Sequence, residues 1–444
     1  MAQDLSLRPL HHLSPEEAQQ FFGDECMLAD PDSANPLAGV KRVALFAEAF
    51  LPKVDGVSKT AFLTLRYLQR TGREVLVFAP DIAPHSVGRT RVIPLPSVGW
   101  HKAPQSRLAL PHPSVAQYLT AFKPDLIHLF SPALLSLTGM TVGRQLRVPV
   151  VANYQTDLPA YANHYNLHIL SHAIKETLRY LHNHCHLTLV PSLWTAKQLG
   201  GEGFRRLRRW GRGVNARHFT PARRSTEWRG RLLNGRDPES LMCIYVGRLA
   251  NEKRVDLLLE VAKTPGIALT IIGDGGMRDE LEAQFAGTNT YFMGALYGDD
   301  LAHAYASADV FLFTGVCETF GQVVQEAMAS GLPCVIVNQG GITDLVDDGV
   351  NGFVCPLDPF ALANATVILR DDPEFRARMA AASRQMAEKN PWEAVMGQLE
   401  GHYREALALN QRLNRQIPTQ TGLLGKIVQL GNAPSARKFD DRVS

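Results

Sequence analysis

The chain has 444 residues, of which 45% are apolar and 20% charged, with a formal net charge of +3. That length exceeds one hydrophobic core of ordinary size and predicts two domains or three. The composition excludes a disordered or coiled-coil chain, and a charge so small argues neither for nor against a nucleic-acid partner.

In chain order, MAQDLSLRPLHHLSPEE lacks a basic start followed by an apolar run, so no signal peptide is expected. Residues 1–39 carry no sustained periodicity and end in PDSANPLAG, which predicts a weakly ordered or surface-packed extension. A buried strand is predicted from Val43 to Phe46, a helix from Ser58 to Arg70 closed by Gly72, and a strand over VLVFAP. Further strands are predicted over 125–130, 148–155 and 187–192, with helical stretches between them. The arginine-rich stretch near 205–231 breaks the pattern and reads as a connection between domains. A second series follows, with strands at 241–246, 268–272, 291–293, 310–313 and 333–337. Helices alternate with them near 255–263, 277–286, 299–307 and 320–330. Short apolar runs without strict alternation fit sheets covered by helices on both faces. The pattern therefore predicts two parallel α/β domains in tandem, which bind ligands at the carboxyl ends of their strands. The tail 414–444 reads as loose, with a short amphipathic contact around Leu423–Leu430. No apolar run reaches membrane-spanning length; Leu126–Val142 is broken by His128, Ser131 and Pro132.

The cysteines (Cys26, Cys185, Cys243, Cys317, Cys334 and Cys355) form no C-x-x-C pair, which predicts free thiols in a reducing cytoplasm. His182 and His186 would share a helix face beside His184 and Cys185. A metal site is one reading, and solvated histidines at a helix end are the preferred one.

The strongest chemical signal is TGVCETFGQVVQEAMASGLP. A strand ending at Phe313 leads through Glu318, Thr319, Phe320 and Gly321 into a helix that carries Glu326. Free N–H groups at such a helix start suit a phosphate. A carboxylate one to two turns on can accept from both ribose hydroxyls, and one in the loop can reach a sugar hydroxyl. An isolated E-x7-E would be read by preference as two solvated helix glutamates; the full twenty-residue stretch is what favours the functional reading. In YVGRLANEKRVDLLL, Gly247, Arg248 and Lys253 follow a strand; arginine grips a diphosphate bidentately and lysine adds a compact charge. Two surface cations at a helix start are the alternative. IIGDGG places Gly273 and Asp274 between strand and helix, where Asp274 could instead be a helix cap. AEAFLPKVDGVSK sets Gly56 where bare backbone can approach a phosphate or sugar, or where a turn merely needs glycine.

Together these stretches closely resemble the retaining nucleotide-sugar glycosyltransferases of family four, which have the GT-B fold: two Rossmann-like parallel-sheet domains facing a central cleft. The resemblance covers roughly residues 40–413. It implies that Glu318 contacts the donor sugar, Glu326 the ribose, and Arg248 and Lys253 the diphosphate. Gly56, Gly247, Gly273, Asp274, Gly294, Thr319, Phe320 and Gly321 would complete the donor site. In VVANYQTDLPAYANHY, Gln155 stands where the family usually has a histidine beside the donor sugar. Glutamine cannot titrate, but it can hydrogen-bond a sugar. Asp157 is a further acceptor nearby, and His128 is a weaker candidate. The Q-T-D version resembles the bacterial lipid mannosyltransferases, and sulfolipid (sulfoquinovosyl) transferases share many of the motifs. WGRGVNARHFTP looks like the family's interdomain element, and the helix 392–413 like one that returns to the first domain.

The expected organisation is thus an extension (1–39), an acceptor-side domain (40–215 with 392–413), a donor domain (216–391) and a tail. The expected activity is metal-independent transfer of a hexose, mannose or glucose, from a GDP- or UDP-sugar to a lipid-linked or glycolipid acceptor, with no cofactor. A sulfoquinovosyl or other UDP-sugar:diacylglycerol transferase is the alternative. A nucleotide-sugar epimerase, a hydrolase or a non-catalytic binder are the rivals from other classes. The ten arginines between Arg205 and Arg231 face one acid, Glu227. They and the stretch Trp100, His101, Lys102 and Arg107 are candidate contacts with an anionic membrane, although an exposed linker face with some internal ion pairs is the preferred reading of the run. Poor aromatic interleaving argues against nucleic acid. The protein is expected to be cytoplasmic and peripheral on the inner membrane face.

Overall fold

The computed structural model describes residues 12–14, 17, 36–53, 55–100, 103–130, 134–159 and 168–416. Cys26, His101, Lys102 and the segment Leu423–Leu430 lie outside the described residues, as does most of the 1–39 extension. The first half contains β1 (Arg42–Phe46), α1 (Gly56–Arg70), β2 (Glu74–Pro80), β3 (Ser86–Val87), β4 (Thr90–Leu95), β5 (Ser97–Trp100), β6 (Ala103–Ala109), α2 (Ser114–Phe122), β7 (Leu126–Leu129), α3 (Leu134–Gln145), β8 (Val150–Asn153), α4 (His168–His184), β9 (Leu187–Val190), α5 (Leu193–Gly201) and β10 (Leu207–Arg209). The second contains α6 (Thr226–Leu233), β11 (Leu241–Val246), α7 (Leu259–Lys263), β12 (Ile267–Ile272), α8 (Arg278–Gln284), β13 (Thr290–Gly294), α9 (Gly298–Ser307), β14 (Val310–Phe313), α10 (Gln322–Ala329), β15 (Cys334–Val337), β16 (Gly352–Cys355), α11 (Pro359–Asp371) and α12 (Pro373–Glu388). The long helix α13 (Trp392–Gln416) follows.

Two large sheets result, ordered β10-β9-β8-β7-β1-β2-β4-β3 and β13-β12-β11-β14-β15-β16, beside the two-stranded sheet β5-β6. Every pairing within the two large sheets is parallel except that of β3 with β4. Residues of β1, β7, β8, β11, β12 and β14 are almost all buried, so these strands read as continuous apolar runs because helices cover both faces. Strand order reverses between β7 and β1 in one sheet and between β11 and β14 in the other. Open sheets leave a ligand crevice at such points, outside the carboxyl ends of the strands.

Helix α13 packs onto the first sheet although it follows the second in sequence. Trp392, Met396, Leu399, Tyr403 and Ala406 share a core with Val43, Phe62 and Leu126. Each large apolar side chain so buried contributes about 1.5–3 kcal/mol. The segment before it is fixed in step: Val214 N donates to Asn390 O at 3.0 Å, and Trp210 Nε1 to Val395 O at 2.9 Å. Gly213 lies so close that a Cβ there would sit 2.4 Å from Trp392 Cα.

Several elements differ from the sequence reading. The helix expected over 255–263 is a 3-10 turn, Val255–Leu258, followed by the single α-turn of α7. The β5–β6 hairpin has no counterpart in the predicted series, because it pairs only with itself and carries no apolar run. Part of the N-terminal extension is anchored: Leu13 bridges Val87 and is buried against the edge of the first sheet.

The arginine-rich segment is also not a free basic face. Arg206 donates to the Cys185 and Asn183 carbonyls, Arg208 pairs with Glu405, and Arg223 pairs with Asp299. Arg224 and Arg229 both hold Asp309, and Arg231 pairs with Glu227. Nor are the histidines beside it solvated. His182 and His186 are 1% and 7% exposed, because the end of α4 is pinned under β9. His182 Nδ1 bonds Thr188 Oγ1, and His186 Nδ1 accepts from Val150 N. Burial pulls His182 down to about 3 and His186 to about 4, so both stay neutral at physiological pH. Among the described residues no group of three or more His, Cys, Asp or Glu could hold a metal ion. Cys185, Cys243, Cys317, Cys334 and Cys355 are free thiols. No described helix is long and apolar enough to cross a membrane.

Candidate active site

Strands β11 and β14 are neighbours at the reversal point of the second sheet, so the loops that follow them meet. Val316 N donates to Glu252 O at 3.1 Å, and Thr314 Oγ1 to Lys253 O at 2.8 Å. This fastening brings Lys253 Nζ into an ion pair with Glu318 Oε1. Their side chains are only 12% and 22% exposed, so salt screens the pair weakly. Lys253 Nζ also stands 5.5 Å from the centroid of the Phe313 ring. Arg248 is more exposed and is steadied by the buried Glu252 at 2.7 Å.

Gly247, Gly273 and Gly294 lie in one row at the strand ends. Gly247 N donates to Ile272 O at 3.0 Å, and Gly273 N to Gly294 O at 2.9 Å. A Cβ on Gly273 would lie 1.9 Å from Gly247 O, so this edge must remain bare backbone. Asp274 is exposed, and its carboxylate accepts from Gly275 N at 2.8 Å. It is not the cap of α8, whose N-cap position is Met277.

Gly321 precedes α10 at φ +91, where a Cβ would meet Ile342 Cγ2 at 2.4 Å. No side chain caps the helix, so its first N–H groups suit an anionic ligand. Glu326, on the same helix, is 3.9 Å from Lys59 Nζ of α1 in the opposite domain. Phe320 does not face the cleft: its ring is 4% exposed in the second domain's core, which leaves its backbone to meet a ligand.

From the first domain, Gly56 opens α1 after the Asp55 N-cap. Gln155 O accepts from Thr319 Oγ1 at 2.8 Å, which ties the Glu318 loop to the far side of the cleft. Beside this contact is a small cavity of about 10 Å³, room for a single water-sized group, lined by Thr60, Asn153, Gln155, Trp210 and Arg212, among others. Asn153 Nδ2 and Gln155 Oε1 are buried without partners. Each buried polar atom left unpaired costs about 1–3 kcal/mol, so the pair suits a ligand hydroxyl that both donates and accepts. Asp157 turns to its own domain, accepting from Tyr154 Oη at 3.2 Å and Gln198 Nε2 at 3.5 Å.

His128 is not a contact residue. It is fully buried, with Nδ1 bonded to Tyr403 Oη at 2.9 Å and Nε2 to Asn153 Oδ1 at 3.0 Å. Burial holds it neutral by pulling it down to about 4. Its place is behind the cavity, where it fixes the amide that Asn153 presents there.

Arg212, read from the sequence as one linker cation among many, is the main residue that sequence reasoning missed. Its guanidinium donates to Gly56 O, while its carbonyl accepts from Gln325 Nε2 at 3.1 Å on α10. It thus joins the Gly56 turn to the helix that carries Glu326. Burial pulls it down to about 10 against the opposing charges of Asp55 and Glu318, so it remains a cation at neutral pH. The glycines on both sides of it were the available signal, since a close-packed turn needs them. Lys59, Thr60 and Asn153 were missed as well, each lying inside an element that reads as ordinary core or helix.

Known proteins match both halves. Residues 54–218 match the family model "Glycosyltransferase Family 4", and residues 231–386 match "Glycosyl transferases group 1". A GDP-mannose-dependent alpha-mannosyltransferase of Mycobacterium tuberculosis is 40% identical over 371 residues, covering 82% of this chain and 96% of that protein. The sulfoquinovosyl transferase SQD2 of Arabidopsis thaliana is 37% identical over 383 residues, covering 83% and 74%. Among solved structures, the sucrose-phosphate synthase of Thermosynechococcus elongatus superposes with a TM-score of 0.67 at 20% identity, covering 83% of this chain and 99% of that one. The chain is a GT-B glycosyltransferase and belongs to family four.

Proposed function

We propose that this protein transfers mannose from GDP-mannose to a lipid-linked or glycolipid acceptor with retention of anomeric configuration and without a metal. The observation that carries the transfer chemistry is the meeting of Lys253 and Glu318 at the strand-order reversal, opposite Gln155. As the bond from the sugar's anomeric carbon to the diphosphate breaks, negative charge grows on the leaving oxygen. Lys253 and Arg248 are fixed cations for that charge and take the part that a metal ion has elsewhere. Glu318 holds a sugar hydroxyl, and Glu326 accepts from the ribose. Among the described residues no side chain of the site is suited to be a nucleophile: the Gln155 amide is not nucleophilic and cannot take up a proton, and Glu318 is committed to Lys253. The acceptor oxygen therefore attacks on the face the diphosphate leaves, and its proton passes to a leaving diphosphate oxygen.

The donor assignment is supported by the 40% identity to a GDP-mannose-dependent enzyme. Transfer of a sulfoquinovosyl or other sugar from a UDP donor is the second reading, favoured by the similarity to SQD2.

A lipid acceptor requires the protein to meet a membrane surface. With most of the arginine run paired internally, the β5–β6 hairpin is the better contact: Val98 and Leu108 face each other in register, and both are exposed, as is Leu110 just beyond. Binding to anionic vesicles is expected in sedimentation, falling as salt rises because attraction to the surface is screened within about 8 Å. Replacing Val98 and Leu108 by glutamate should abolish it. Absence of vesicle binding together with efficient transfer to a soluble sugar would overturn the lipid reading and leave the transferase reading intact.

A further inference from the structure

Two domains that share one reaction must be held in register when the cleft closes. One group of contacts between the domains gathers at the loop that carries Glu318. After β15, the second domain makes a short 3-10 turn, Gly341–Asp344. The Asp344 carboxylate reaches the first domain, where Oδ2 accepts from Leu193 N and Oδ1 from Trp194 N at 3.3 Å. These are the first two N–H groups of α5. That helix has a cap of its own, Ser192, but the Ser192 hydroxyl accepts from Thr195 N alone. The positive end of α5 is therefore completed by a carboxylate from the opposite domain.

The same junction holds the Glu318 loop from both sides. Gly341 N donates to Glu318 O at 2.6 Å, Thr195 Oγ1 to Thr319 O at 3.2 Å, and Thr319 Oγ1 to Gln155 O at 2.8 Å. There is no slack: a Cβ on Gly341 would lie 2.0 Å from Thr319 O and 2.7 Å from Ser192 Oγ. A shift of α5 relative to the turn 341–344 must move Glu318 and Thr319 or break their bonds.

We propose that Asp344 is a positioning residue, an interdomain latch that caps α5 only when the cleft is closed and so sets the Glu318–Thr319 loop against Gln155. It touches no substrate. Its consequence for turnover rests on the reading of Glu318 as the donor-sugar residue, whereas its consequence for closure does not. In the open cleft, Leu193 N and Trp194 N turn to water and the Glu318 loop loses Thr195 and Gln155. Each closure then rebuilds the cap and the loop together.

The test compares the wild-type chain with Asp344→Ala, Asp344→Asn and Ser192→Ala, using small-angle X-ray scattering in saturating GDP-mannose and steady-state kinetics. Asp344→Ala should give a larger radius of gyration than wild type and a kcat lower by about five- to tenfold, the loss expected for a helix cap. Asp344→Asn keeps an acceptor oxygen and should fall between the two. Ser192→Ala weakens the same helix within its own domain and should scatter like wild type. Wild-type scattering from both Asp344 variants overturns the latch, as does equal expansion in Ser192→Ala. Expanded scattering with unchanged kcat overturns the placement of Glu318 by the latch.

Discussion

Replacing Lys253 by alanine is expected to lower kcat by about two to three orders of magnitude at saturating donor, the loss typical when a fixed group that stabilises transition-state charge is removed. The substitution acts twice. On the proposed reading it removes a cation that stabilises the developing diphosphate charge, and it leaves Glu318, only 22% exposed, without its ion-pair partner. A half-buried carboxylate deprived of its counter-charge seeks another or takes up a proton. Either response turns it away from the sugar hydroxyl. Arginine at 253 should not restore full activity, because a larger planar fork does not fit the enclosed place of a compact ammonium that is 12% exposed. Circular dichroism would establish that the variant is folded, and initial rates would give kcat. Turnover within threefold of wild type would remove Lys253 from the leaving-group role.

Glu326→Ala should have its largest effect on donor affinity. On the proposed reading two ribose hydroxyls lose a charged acceptor, and a hydrogen bond to a charged group is worth about 1.5–3 kcal/mol. The dissociation constant measured by calorimetry should therefore rise by roughly ten- to a hundredfold. Lys59 Nζ sits 3.9 Å from Glu326 across the cleft. It loses an opposite charge in the variant, and this adds to the cost of the closed form. Glu326→Gln keeps an acceptor without the charge and should lose less. Unchanged affinity in Glu326→Ala would sink the ribose assignment.

The local elements that carry the proposed donor residues were legible because each lies within a single strand–loop–helix unit. Phe313 ends a strand, Gly321 starts a helix, and the spacing of Glu318 and Glu326 follows from that local geometry. The parallel sheets were legible for a similar reason: β11, β12 and β14 are short apolar runs separated by helices. What the sequence hid depends on segments that meet only after folding. Arg212 gains its meaning from Gly56, which is 156 residues away. Asp344 gains its meaning from α5, and His128 loses its candidacy to Tyr403 on the returning helix. The partners of the arginine run were hidden for the same reason, since Asp299, Asp309 and Glu405 come from distant elements. The histidines at the end of α4 look solvated until β9 is laid beside them.

On the proposed mechanism these two domains move a sugar from a nucleotide to a lipid using only their own cations. Purified protein would be mixed with sugar-labelled GDP-mannose, vesicles of total lipid extract and excess EDTA, with a UDP-sugar in a parallel tube, and the label followed into the organic phase. The account predicts mannose label on lipid from GDP-mannose, at an undiminished rate in chelator. Label recovered only as free sugar, or transfer that stops with EDTA and returns with magnesium or manganese, would contradict it.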